Sequence, residues 1–336
     1  ATTEIYTLSL HDALPILDQL LDLGRIRTDL AMEARELALK GQQELPGVQT
    51  RTEQRGDVLI NRVLVQTPEA GRMMGKQPGY YVTLEAETLR SRDRDRLEEV
   101  SQALAEEIRG FLKHLNIPED ALGMVVGLGN WNATPDALGP RVVGKILVTR
   151  HLFSASPPEK RGALRPVCAI APGVLGITGM ETGEIVASLV QRVRPRFLVV
   201  VDALASRSTA RLGTTVQLAD TGISPGSGIG NKRVGITPET MGIPVLAVGV
   251  PTVVDAVTIV HDALDQITGG AGGAGVSPPQ KREAVQRVLH PYLRDLIVTP
   301  KEVDVLIEDI TKVVAGALNI ALHPGVTPEE VFRYLQ

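Results

Sequence analysis

Four short apolar runs constrain this chain more than anything else in it: Met124–Val126, Val167–Ala171, Phe197–Val201 and Ile243–Val250. They are too short for core helices and lack the alternation of a half-exposed strand, so they read as strands buried on both faces. Helical patterns stand between them. Asp95–Leu115 carries Leu97, Val100, Leu104, Ile108, Phe111 and Leu112 at helical spacing, and Glu181–Val193 comes after a Gly-rich turn with Thr178 or Thr182 placed to cap it. Strand and helix alternating from Tyr80 to Ile267 predict an α/β fold, a mostly parallel sheet with helices on both faces. Aromatic residues are only 3% of the chain, so its core must be built from Val, Leu, Ile and Ala.

The flanking segments read as additions to that sheet. Residues 1–17 fit poorly with the rest of the chain, begin without Met and read as a non-native scar, a translated adapter sequence. Asp18–Gln43 has a helical pattern, and Val58–Val65 and Tyr80–Leu84 read as strands. The polar–apolar alternation of Thr214–Leu218 suggests a strand nearer the sheet edge, and Thr252–Ile267 reads as a helix carrying Asp255 and Asp262. Gly269–Pro279 is a flexible connection. Helices over Gln280–Leu293, Pro300–Leu318 and Pro328–Leu335 make a C-terminal helical extension, 280–336, to a single domain.

Composition excludes several roles. A net charge of −4 gives no general pull toward nucleic acid. A single cysteine, Cys168, cannot form an intrachain disulfide and suits a reducing cytoplasm. No apolar run reaches the roughly 18–20 residues needed to cross a bilayer, and neither end reads as a secretory signal.

Candidate chemistry gathers where two apolar runs close on acids. Met124–Val126 breaks at Gly127 and Gly129, and a helix is expected to start near Pro135, capped by Thr134, with Asp136 in its first turn. Phe197–Val201 closes on Asp202. Parallel strands deliver such residues to one crevice at their carboxyl ends. Two carboxylates held close cannot both ionise easily, so one keeps its proton and acts as acid while the other acts as base toward water. The competing structural reading is that Asp136 only supports a helix start. Cys168, among apolar residues, reads as a small core hydrophobe. The six histidines, His11, His114, His151, His261, His290 and His323, show no metal-ligand spacing, and Ser206 and Ser208 lack a GxSxG setting. Asp220–Arg233 holds GxGxG with no helix straight after it, a poor phosphate cradle. Arg207 and Lys232-Arg233 are either solvated or placed to bind an acidic group.

With those residues laid out, the chain resembles the germination protease family of spore-forming bacteria from about Arg25 to Leu335. The resemblance is carried by GLGNWNATPDALGP (Gly127–Pro140), LVTRHLF (Leu147–Phe153), AIAPGVLGITGMET (Ala169–Thr182), VDALASRS (Val201–Ser208), QLADTGISPGSGIGNKR (Gln217–Arg233) and VGVPTVVDA (Val248–Ala256). It implies an aspartic-type endopeptidase that degrades small acid-soluble spore proteins in the germinating spore. The implied fold is similar to that of the hydrogenase maturation proteases, a phosphorylase/hydrolase-like arrangement. It places the catalytic pair at Asp136 and Asp202 and implies a homotetramer needing no cofactor or metal. It also implies a self-processing precursor. The family's cut site is an acid followed by an apolar residue, a small residue and another acid, and Asp29-Leu30-Ala31-Met32-Glu33 fits. The expected cut lies between Asp29 and Leu30, making 18–29 a propeptide-like segment and 30–336 the peptidase domain. Arg207 or Lys232 would read the acid before the cut. Two rivals share the same sheet: a metal-dependent maturation-type peptidase, and a non-catalytic nucleotide- or protein-binding module.

Overall fold

The computed structural model describes residues 28–39, 44–155, 164–223, 234–269, 287–289 and 296–335. The strands are β1 (Val48–Arg55), β2 (Val58–Val65), β3 (Gly79–Glu85), β4 (Gly123–Gly127), β5 (Val167–Ile170), β6 (Phe197–Ser206), β7 (Thr215–Ala219), β8 (Val245–Asp255) and β9 (Ile297–Val298). The helices are α1 (Ala31–Leu39), α2 (Pro68–Met74), α3 (Arg94–His114), α4 (Leu138–Val143), α5 (Arg150–Ala155), α6 (Leu175–Thr178), α7 (Thr182–Val193), α8 (Pro238–Met241), α9 (Ala256–Gly269), α10 (Val303–Leu322) and α11 (Pro328–Tyr334).

The strands join in the order β1-β2-β3-β7-β8-β6-β4-β5, with β9 on β8. The apolar runs form the parallel part, β5, β4, β6 and β8, as their double-sided hydrophobicity requires. β7, β3, β2 and β1 continue it as an antiparallel wing. One face carries the main core, where Val199, Val201, Val216, Leu218 and Val248 meet α3, α4, α10 and α11. Leu104, Ile108 and Phe111 of α3 are almost fully buried there. Each such side chain contributes about 1.5–3 kcal/mol.

The opposite face is covered in two patches. Val186 and Val190 of α7 pack on Met124, Val126, Leu198 and Val200. Ala31 and Ala34 of α1, with Ala70 and Met74 of α2, pack on Val63, Val65, Tyr81, Ala219 and Ala247. A cleft opens between the patches, over β7, β8 and β6.

Several elements differ from expectation for identifiable reasons. β7 lies at the centre of the sheet rather than near its edge, because its polar Thr215 and Gln217 are buried by chain that covers them. The strand β8 runs through Thr252–Asp255, where a helix was expected, because β6 and β9 both pair with it there. Thr134 does not cap a helix: its hydroxyl donates to Asp304 Oδ1 at 2.9 Å, and Thr134–Asp136 is a 3-10 turn ahead of α4. Glu181, not Thr178 or Thr182, is the N-cap residue of α7, and the Thr182 hydroxyl donates to Gly173 O instead. The edge strand β1 was unforeseen because its sequence, VQTRTEQR, is polar and mostly exposed. The expectations for residues 1–27, the Gly269–Pro279 connection beyond Gly269 and most of the Gln280–Leu293 helix fall outside the described residues.

Candidate active site

Asp202 lies inside β6 rather than at its end. Its neighbour β4 stops at Gly127, opposite Val201, so β6 is open on that side from Asp202 onward. On its other side β6 stays paired with β8 to Ser206, across an irregularity between Leu204 and Ala205. Asp202 is 8% exposed, which places its carboxyl largely out of water. Burial pushes that carboxyl well above the ordinary carboxylate range, the charge of Asp136 pushes it the same way, and Asp29 adds to both. The Ala203 N–H, donating to Asp202 Oδ1 at 2.9 Å, opposes the shift in part.

Asp136 reaches the same place from the loop after β4. Leu128 N–H donates to Val201 O at 2.8 Å, laying the loop across the end of β6. Asn130 N–H is shared between Asp136 Oδ2 at 2.9 Å and Asp136 O at 3.1 Å. Gly129 has φ of +115°, and a Cβ there would fall 1.9 Å from Asp136 O. At Gly139 a Cβ would meet Leu128 O at 2.2 Å and Val201 O at 2.6 Å. Both positions require glycine so that loop, turn and strand can close on one another. The structure brings together the two acids that the sequence selected.

A cleft of about 1580 Å³ is lined by Asp136, Asp202, Asp29, Lys76, Gln217 and Asp220, among others. Of residues 28–34, Asp29 forms part of its wall. Asp29 N–H donates to Ala205 O at 2.9 Å, and Ala205 N–H returns a bond to Asp29 Oδ2 at 2.9 Å. Leu30 and Ala31 are fully buried. Glu33, 1% exposed, accepts Arg207 N–H at 2.7 Å and Ser208 N–H at 2.9 Å, pairs with Arg211 at 3.3 Å and takes the Thr28 hydroxyl. The Asp220 carboxylate accepts Tyr80 N–H at 2.8 Å and so ties β3 to the end of β7.

The remaining sequence candidates lie away from the two acids or act through other groups. Arg207 directs its guanidinium to Asp262 at 2.6 Å, while its backbone N–H serves Glu33; the Asp29 carboxylate is met by Ala205 N–H. Lys232 lies outside the described residues. Cys168 sits in β5 with its thiol on Gly123 O at 3.7 Å, and burial raises its pKa. His323 is fully buried, with Nε2 2.9 Å from Leu147 O. Among the described residues no group of three or more His, Cys, Asp and Glu side chains is gathered as a metal site. No helix among them is long and apolar enough to cross a membrane.

Lys76 and Gln217 were not selected from the sequence, yet both bind the Asp29 backbone. Lys76 stands in a Gly/Pro loop that reads only as a turn, and Gln217 reads as the polar face of an outer strand. The signal for Gln217 was its place beside Asp220 in the unusual QLADTG run; for Lys76 the sequence offers none.

Comparison with known proteins gives this site its context. The family model described as germination protease matches residues 27–277 and 269–335. The germination protease of Caldanaerobacter subterraneus subsp. tengcongensis is 46% identical over 322 residues, covering 92% of this chain and 98% of that protein. That of Priestia megaterium is 42% identical, covering 94% and 98%, and that of Bacillus subtilis is 43% identical, covering 92% and 96%. A crystal structure of a NiFe hydrogenase maturation protease, HycI, from Thermococcus kodakarensis aligns at 15% identity over 61% of this chain and 98% of that one. Its TM-score of 0.26 is too low to carry an argument. The matches across nearly the whole chain, on a sheet that brings Asp136 and Asp202 into one cleft, establish that the chain belongs to the germination protease family of peptidases.

Proposed function

We propose that this peptidase is made as a precursor that cuts its own Asp29–Leu30 bond and then degrades small acid-soluble spore proteins when a spore germinates. The observation that carries this reading is Asp29 in the wall of the cleft that also holds Asp136 and Asp202, close enough to Asp202 for its charge to raise that group's proton affinity. Asp202 keeps the proton of the pair. Asp136, with Asn130 N–H on its carboxylate, is the base that takes a proton from the attacking water. The Asp202 proton passes to the leaving nitrogen. An acid before the cut is read by Ala205 N–H, and an acid four residues beyond the cut by Arg207 N–H, Ser208 N–H and Arg211. Family resemblance supports a homotetramer working in the spore core.

The test is intact-mass spectrometry of the full chain and of Asp202→Asn, incubated at mildly acidic and neutral pH. The expected result is a wild-type product beginning at Leu30, absent from the variant and undiminished by a chelator. Equal cleavage in the variant refutes the two-aspartate mechanism. Loss of cleavage on chelation favours the metal-dependent rival.

A further inference from the structure

We infer that Lys76 and Gln217 form an oxyanion hole for the peptide bond that comes after the acidic residue; this rests on the self-processing reading above. The carbonyl oxygen of Asp29 accepts Lys76 Nζ at 2.7 Å and Gln217 Nε2 at 3.1 Å. Two donors already on the ground-state oxygen are placed to follow it as it takes charge, the arrangement an oxyanion hole needs. The amide orientation of Gln217 is set by its neighbours. Ala31 N–H can only donate and lies 2.6 Å from Gln217 Oε1, so the amide nitrogen must face Asp29 O. Gln217 thus clasps the chain on both sides of the Asp29–Leu30 bond.

Lys76 supplies charge to the same oxygen. The loop after α2 is held by Lys76 N–H on Gly71 O at 2.9 Å, which turns the ammonium inward. Its acceptors are two carbonyl oxygens, Thr28 O at 3.3 Å and Asp29 O. Among the described residues no carboxylate forms an ion pair with it. Burial lowers the Lys76 proton affinity, and the nearby charges of Asp29 and Glu33 oppose that, so the ammonium is held charged at the Asp29 oxygen where negative charge would develop.

Sheet geometry places this hole opposite the acids. Gln217 pairs with Gly249, and Gly249 pairs with Asp202. Directly paired residues project to one face, so Gln217 and Asp202 rise from the same face one strand apart. Gly249 between them makes room for the Leu204 side chain, whose Cδ1 would lie 2.3 Å from a Cβ there.

The reaction balances with these roles. Water attacks the Asp29 carbonyl carbon and gives a proton to Asp136, and the carbonyl oxygen takes the negative charge facing Lys76 and Gln217. Collapse breaks the C–N bond, and the Leu30 nitrogen leaves with the Asp202 proton. A proton passing from Asp136 to Asp202 restores the pair.

The experiment tracks self-cleavage of the full chain as a first-order process, by the appearance of the Leu30 N-terminus. The proteins are wild type, Lys76→Met, Lys76→Arg and Gln217→Leu. Hydrogen exchange of residues 28–34 is measured in each on an Asp202→Asn background, where the bond stays intact. Removing one oxyanion donor lowers the chemical step by about 10²–10³-fold, so Lys76→Met and Gln217→Leu should each lose that much while the segment stays protected. Lys76→Arg should fall between Lys76→Met and wild type. Wild-type rates in both Lys76→Met and Gln217→Leu overturn the inference alone. So does a loss that merely tracks lost protection, which would make the pair a docking clamp. A wild-type chain that never cuts at Leu30 overturns the self-processing reading and the inference with it.

Discussion

Replacing Asp202 by Asn should stabilise the protein, and by an amount that grows as the solution becomes less acidic. Folding takes the Asp202 carboxyl out of water beside the charge of Asp136, so the folded protein holds its proton well above the ordinary carboxylate range. The unfolded chain gives up that proton near pH 3.9, roughly the model-peptide value. Between those two points the folded state carries a proton that the unfolded state has lost, and stability falls as pH rises. The slope is about 1.4 kcal/mol for each pH unit. Below the window the cost is absent, and above the folded pKa it is complete and flat. Asparagine does not titrate, and its side-chain oxygen can still accept the Ala203 N–H. For a chain of 336 residues, an unfolding entropy of about 2.1 cal/mol/K per residue converts the slope to about 2 °C in Tm per pH unit. Differential scanning calorimetry of both proteins from about pH 4 to about pH 8, on samples whose intact mass shows the chain uncut, reads this directly. Introducing Asp136→Asn into both proteins removes the second cause of the shift and should narrow the window over which they differ. A Tm difference that is constant across that range, or that favours wild type as pH rises, would show that Asp202 is not held protonated by its surroundings.

The same contacts set three further outcomes. Glu33→Ala leaves the N–H groups of Arg207 and Ser208 without their acceptor, at about 1–3 kcal/mol for each buried donor, and should speed hydrogen exchange across α1. Gly129→Ala places a Cβ on Asp136 O in a left-handed backbone, so self-cleavage should be abolished and Tm lowered while far-ultraviolet circular dichroism is kept. Cys168 should react with iodoacetamide at pH 8 more slowly than a free thiol of about pKa 8.5, because burial raises its own pKa, and modification in the unfolded chain should be fast.

The sequence makes one half of the site legible and hides the other. Asp136 and Asp202 come after apolar runs that can only be buried strands, so their meeting at one crevice is a consequence of parallel pairing. Lys76, Gln217 and Ala205 act through a different geometry. Gln217 meets Ala31 across 186 positions of chain and is buried only because the N-terminal segment lies over β7. Alternation that signals an outer strand when water covers the polar face signals nothing of the kind when the chain's own beginning does. Ala205 contributes a backbone N–H and C=O, groups every residue but proline owns, so no side-chain pattern could announce it. The extra length of β8 was hidden likewise, since Thr252–Asp255 becomes strand only through β6 and β9 on either side.

Helix α1 is nine residues long, and its buried Ala31 and Ala34, with Leu30 just ahead of it, tie the segment that sets Asp29 in the cleft wall to the packing of α2 and β2. A visiting polypeptide that used the Ala205 N–H and C=O would compete with a tethered one that already holds both and needs no diffusion to arrive. The apparent affinity for any outside chain is its intrinsic affinity multiplied by the fraction of molecules in which residues 28–34 have lifted away. If the segment carrying Asp29 occupies the place of a substrate, as proposed, a change that loosens α1 raises throughput on outside chains without touching a reacting atom.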